Sequence, residues 1–281
     1  MAARDRPDPA SPPGRAGGGE GSSDLTGSVI LACEMIEDEV RLALERLAPE
    51  SRPPVIWVES GLHDRPERLR LALQELIDLL DEGALADSPV VLPSVRPGQG
   101  APDERREEVV LQDPVHEVIL ALGFCGKGLE GLRSRQLRMV FPRVDDCISL
   151  FLNHGCTREK IPRDSRSYYL TRGWFSHNSS VSQEFEDWVN RFGAERAASL
   201  RKAMFQGYER VSLIDTQAYD VAECVDRSQA YADDLELEHV IVPGSIQLLE
   251  RMFAGDRGSE IVVIPPGEAI GFLHLFTSKD A

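Results

Sequence analysis

Short apolar runs alternate with amphipathic stretches along most of the chain. SVILAC (28–33) is an apolar run that reads as a buried strand. The stretch 34–47 then places Met35, Val40, Leu44 and Leu47 near one helical face. PVIWVES (54–60) predicts a second strand. Residues 66–83 carry Leu69, Leu73, Leu76, Ile77 and Leu80 at helical spacing, with Pro66 in the first turn and Gly83 as a stop. VHEVILALG (115–123) and LRMVFP (137–142) predict two more strands. Between them CGKGLEGLRSRQ (125–136) reads as a glycine-rich turn into a short helix, and Asp145 or Asp146 can cap a helix that follows. The second half repeats the rhythm. Strands are predicted at 167–172, 210–215, 237–242 and 260–265, and helices at 182–206 (broken near Gly193), 217–232 and 244–254.

Strands alternating with helices predict an α/β fold with parallel sheets flanked by helices on both faces. The expected arrangement is two Rossmann-like halves, 28–160 and 161–281, with one continuous sheet as the alternative. Residues 1–27 hold six Gly and four Pro and too little apolar surface to offset the entropy of ordering, so a disordered tail is expected. Residues 84–114, with five Pro and many charges, read as a long exposed, mobile insertion.

The formal charge of −16 argues against nucleic acid and anionic membrane surfaces as partners, and leaves a small-molecule substrate open. The apolar runs are too short to span a bilayer, and the first 27 residues lack the apolar core of a signal peptide. Five widely spaced cysteines make a poor disulfide framework. The expectation is a cytoplasmic protein with reduced thiols.

Those thiols carry the main chemical expectation. Cys33 ends the first strand, His63 follows the second, Cys125 the third and Cys147 the fourth. In a parallel sheet all strand C-termini share one edge, and ligands bind beyond that edge near the switch in strand order. Four residues far apart in the chain are thereby expected to meet. Thiolate and imidazole suit zinc or an iron–sulfur cluster. Three sulfurs and one nitrogen make a closed zinc site, and fewer protein ligands leave an open catalytic position. Cys156 and Cys224 read as structural, and His154 as a weaker substitute ligand.

GFCGKGLEG contains a literal G-x-G-x-x-G between a predicted strand and helix, the context of a dinucleotide fingerprint. A tight turn bringing backbone close to a ligand or helix is the preferred reading of the glycines over nucleotide binding. Successive N–H groups at Gly126, Lys127 and Gly128 are candidates for an anion nest beside Cys125. Arg143 is a candidate for an anionic substrate group, and Asp145 or Asp146 for orienting His63. Thr171 and Arg172, with Trp174 in YYLTRGW, are candidates to close a cleft over the metal. There is no Walker A, H-E-x-x-H or G-x-S-x-G pattern.

Taken together, ILAC-E, GLHDRPERL, GFCGKGLEGL, PRVDDCI and YYLTRGW resemble the family catalogued as domain of unknown function 1638, over most of residues 28–275. Cys33, His63, Cys125 and Cys147 fall on motif positions. The family is often encoded beside corrinoid-dependent methyltransferases. The resemblance therefore implies a role in one-carbon, methyl-transfer metabolism, with a corrinoid protein or methyltransferase as partner. Two further functions stay open: a carrier of a metal, cluster or corrinoid without turnover, and a metal-free nucleotide-binding enzyme that uses the glycine-rich turn.

Overall fold

The computed structural model describes residues 25–86, 89–98, 102–177 and 181–276, and every count below refers to these. The expected tail falls almost wholly outside them. The first unit runs β1 (Ser28–Cys33), α1 (Glu37–Glu45), β2 (Val55–Val58), α2 (Pro66–Ala86), β3 (Val90–Val95), β4 (Arg106–Leu111), β5 (Glu117–Ala121), β6 (Arg138–Pro142) and α3 (Cys147–Leu152). The second runs β7 (Ser167–Leu170), α4 (Arg172–Ser176), α5 (Val181–Phe192), α6 (Ala194–Met204), β8 (Arg210–Asp215), α7 (Ala222–Asp234) and β9 (Glu238–Pro243). The chain then continues through α8 (Gln247–Phe253) and β10 (Ile261–Ile264).

The fold is α/β. The main sheet has the order β10-β6-β5-β1-β2, and all its neighbours are parallel except β10 with β6. Its two faces are both buried, so its strands read as continuous apolar runs. Val29 and Leu31, Val118 and Leu120, Met139 and Phe141 pack on one side with α2 residues Leu69, Leu73, Ile77 and Leu80. Ile30, Ala32, Ile119 and Val140 face the other way, onto Val40 of α1 and Leu248, Leu249 and Met252 of α8. This is the two-residue alternation of a strand meeting the helical period of its covering layers. The second sheet, β7-β8-β9, is parallel.

Three expectations change. Residues 84–114 are not a loop throughout. α2 runs on past Gly83 to Ala86, and β3 and β4 form an antiparallel hairpin, from Val90 opposite Leu111 to Val95 opposite Arg106. The hairpin is anchored by Ser94 Oγ, which accepts from Trp57 N at 2.9 Å, and by the buried Arg105 on Glu34. Its prolines and charges hid a strand pair that is half exposed. The chain also does not divide cleanly at residue 160, because β10 returns to the main sheet, antiparallel beside β6. An apolar run such as EIVVIP carries no record of which neighbour it pairs with or in which direction. Finally, no helix follows the glycine-rich turn: residues 125–137 are turns and a bridge at Arg133.

Among the described residues no helix is long and apolar enough to cross a membrane.

Candidate functional site

Strands β2 and β5 flank β1 on opposite sides, so the strand order reverses there and leaves a crevice at the sheet's C-terminal edge. A cavity of about 520 Å³ occupies that place, within the usual size of a small-molecule site. Cys33, His63, Cys125 and Cys147 all line it. The main sheet supplies these four, and the start of the second unit supplies Tyr168, Thr171 and Trp174 as a facing wall.

Local backbone chemistry brings two of the thiols together. The loops after β5 and β6 are tied by Phe124 N to Val144 O at 3.1 Å and Cys125 N to Asp145 O at 2.8 Å. A Cβ on Gly123 would lie 2.3 Å from Asp146 Cα, so only glycine lets these backbones cross so closely. Cys125, Gly126 and Lys127 follow with φ of 46°, 58° and 81°. Left-handed backbone costs a non-glycine residue roughly 1–2 kcal/mol, so two of these three positions hold strain beside the cavity.

The thiols form one electrostatic group. The Cys125 thiol is raised by its hydrogen bond to Cys147 and then by burial. The Cys147 thiol is lowered, first by that same bond and also by the Gly123 backbone. The Cys33 thiol is pushed up by burial and then by Cys147. One thiolate is therefore favoured in the Cys125–Cys147 pair, and it belongs to the pair rather than to either sulfur alone. A second or third thiolate is opposed by the first unless a cation is present.

Two of the proposed orienting groups have other work. Asp146 caps α3 through Ser149 N at 2.8 Å and pairs with Arg163 at 2.5 Å; Asp145 pairs with Arg158 at 2.6 Å. His63 instead stands 3.3 Å from its neighbour Asp64 and edge-on to Trp174, with ring centroids 6.0 Å apart.

Of the anion-binding candidates, Gly126 and Thr171 line the cavity. Gly128 does not: a Cβ there would sit 2.6 Å from Leu69 Cδ2, so this glycine serves the packing of the turn on α2. Lys127 faces a separate shallow depression and lies 5.6 Å from the Phe272 ring. Arg143 is a strut for the returning C-terminal segment, donating to the carbonyls of Ser259 (2.8 Å) and His274. Arg172 is a strut between the two sheets, gripping Asp38 of α1 through two nitrogens. Beside it a Cβ on Gly173 would lie 1.9 Å from Met35 O, which shows how tightly α4 is pressed onto the end of β1. Cys224 is buried in the core of the second sheet, and His154 is exposed.

Several site residues gave no clear sequence signal. Asp64, Arg163 and Tyr208 line the cavity from turns and loops. Glu34 and Glu39 are buried carboxylates beside it. Burial alone would raise Glu34, but hydrogen bonds from Arg105 and Ser60 N hold it below the usual range. Glu39 is pushed up to about 7 by burial, against the opposing hydrogen bond from Thr216 Oγ1 at 2.8 Å.

Glu39 gives a pH prediction. The unfolded chain loses this proton near 4.5 and the folded chain near 7. Between these values only the folded state holds it, so stability falls as pH rises through that interval and levels off above it. The whole effect is at most about 3 kcal/mol. A Glu39→Gln variant keeps an acceptor for Thr216 and is expected to match the wild type in urea unfolding at pH 4.5 and exceed it at pH 8. Parallel pH profiles for the two proteins would refute this.

The sequence profile of a family described as "Protein of unknown function (DUF1638)" matches residues 57–253. The chain belongs to this family. The match is shorter than the 28–275 span of the motifs. It covers His63, Cys125 and Cys147 and leaves Cys33 and β10 outside. No curated protein and no solved structure matches the chain.

The donor set of this DUF1638 protein is that of a soft metal: three sulfurs and an imidazole on one cavity. Among the described residues, however, no three His, Cys, Asp or Glu side chains stand together at the spacing one ion needs. The chemistry fits a metal, and the present side-chain spacing is wider than coordination requires.

Proposed function

We propose that this DUF1638 protein is a metal–thiolate protein of methyl-transfer metabolism. Cys33, Cys125 and Cys147 supply sulfur ligands to zinc or an iron–sulfur cluster, and His63 supplies nitrogen. The observation that carries the reading is the convergence of three thiols from three strand ends on one cavity. Three thiols that oppose one another's ionisation are groups that a bound cation would stabilise as thiolates. A metal held by these residues would supply Lewis-acid chemistry to a bound nucleophile. The chain's own part is to hold Cys125 and Cys147 together through the crossing at Gly123, and to keep Asp64 beside His63.

The link to methyl transfer, and to a corrinoid protein or methyltransferase as partner, rests on the family resemblance. The nucleotide reading is weaker, because the fingerprint needs a helix behind its glycines and residues 125–137 form none.

The test is metal content and an optical spectrum after anaerobic purification, alongside Cys125→Ala. About one zinc per chain, or an iron–sulfur band, lost in the variant, is the expected result. Full-length folded protein without stoichiometric zinc or iron, unable to take up either, overturns the reading. Turnover of a methyl donor separates an enzyme from a carrier.

A further inference from the structure

The wall facing the thiols is aromatic. Tyr168 lies at its centre, with ring centroids 6.1 Å from Trp174 and 5.6 Å from Tyr208, and His63 meets Trp174 edge-on. All four rings line the cavity. The charges around it are unbalanced. Among the described residues, Glu59, Asp64 and Asp146 line it against a single arginine, Arg163, and no lysine does. That arginine is already engaged, with Nη1 donating to Asp146 at 2.5 Å and to Ser149 Oγ at 3.1 Å. An anionic ligand would find its one cation occupied and several carboxylates nearby. An aromatic wall with excess negative charge attracts the opposite kind of molecule. Ring faces carry negative quadrupole charge, and a cation sheathed in alkyl groups loses little hydration on meeting them.

We propose that this cavity recognises a small alkylated onium cation, seated on Tyr168, Trp174 and Tyr208 with its alkyl groups toward the thiols. The inference deepens the reading above by naming a substrate class for the same cavity, and it rests on that cavity being the functional site. It needs no metal. Tyr168, Trp174 and Tyr208 come from the second unit and the thiols and His63 from the first, so the ligand's ring contacts and the thiols come mostly from different parts of the chain. The ligand then sits between them.

The test uses the full chain, treated with a chelator, and isothermal titration with choline, tetramethylammonium and 3,3-dimethylbutan-1-ol. The last has the shape of choline without its charge. Choline and tetramethylammonium are expected to bind at least about tenfold more tightly than the neutral alcohol, as desolvated cation–π contacts allow. Trp174→Leu is expected to lose about tenfold for the cations and little for the alcohol, and Trp174→Phe to keep part of the difference. Equal binding of choline and the alcohol, or no binding of either cation by folded wild-type protein, overturns the proposal. The comparison of charged and neutral ligands on wild-type protein stands even if a Trp174 variant misfolds. Metal content is measured separately. Metal present with no onium preference defeats only this inference, and onium preference without metal defeats only the metal reading.

Discussion

Replacing Arg105 by alanine is expected to destabilise the protein by about 3–5 kcal/mol. Glu34 is fully buried, and its carboxylate is held by Arg105 Nη1 at 2.5 Å and Nη2 at 3.3 Å, with Ser60 N at 2.8 Å. Removing the guanidinium leaves a charge with no access to water, and that is far costlier than losing an exposed ion pair. His177 Nδ1 is 3.4 Å away and does not make a hydrogen bond to it. The effect reaches the site, since Glu34 directly follows Cys33 and holds the loop that carries Glu59 into the cavity. Urea unfolding of Arg105→Ala, Glu34→Gln and the double variant checks this. The double variant is expected to lose less than the sum of the two single losses. Strict additivity, or a loss below about 1 kcal/mol for Arg105→Ala, would mean that the pair is not coupled.

The second large effect is expected at Gly123. An alanine there sets its Cβ against the Asp146 backbone, at a 2.3 Å approach that no side-chain rotation relieves. The crossing has to open, at a cost of roughly 1–3 kcal/mol if the loops yield. Cys125 and Cys147 hang directly from the two crossing loops, so opening the crossing weakens the electrostatic coupling between them. The expected result is a folded protein by circular dichroism, with a lower unfolding midpoint and slower alkylation of the Cys125–Cys147 pair near neutral pH, because the pair no longer favours a shared thiolate. An alkylation profile identical to that of the wild type would show that the crossing does not set the thiol chemistry.

Much of this protein was legible in its sequence. The apolar runs at 28–33, 115–123 and 137–142 and the leucine spacing of 66–83 determine strands buried on both faces and an amphipathic helix against them. Strand–helix alternation makes β1, β2, β5 and β6 parallel, and parallel strands put Cys33, His63, Cys125 and Cys147 at one edge. That inference needs only the direction of the strands. Even the Asp146 cap is written in its side chain, whose oxygen reaches the N–H of Ser149.

Other features only the tertiary structure decided. The β3–β4 hairpin is stabilised by contacts to Trp57 and Glu34, which no local pattern announces. The return of β10 to β6 depends on a neighbour chosen by the fold, and strand propensity is blind to partner and direction. Arg143 and Arg172 looked free to bind a ligand because a sequence does not show which carbonyls and carboxylates will claim a guanidinium. The aromatic wall joins Tyr168 to Tyr208 across forty positions, with His63 more than a hundred residues earlier. Periodicity reports the environment of a residue's own element, whereas a site made between two sheets depends on how those sheets are docked. Here Gly173 against Met35, Arg172 on Asp38 and Thr216 on Glu39 set that docking.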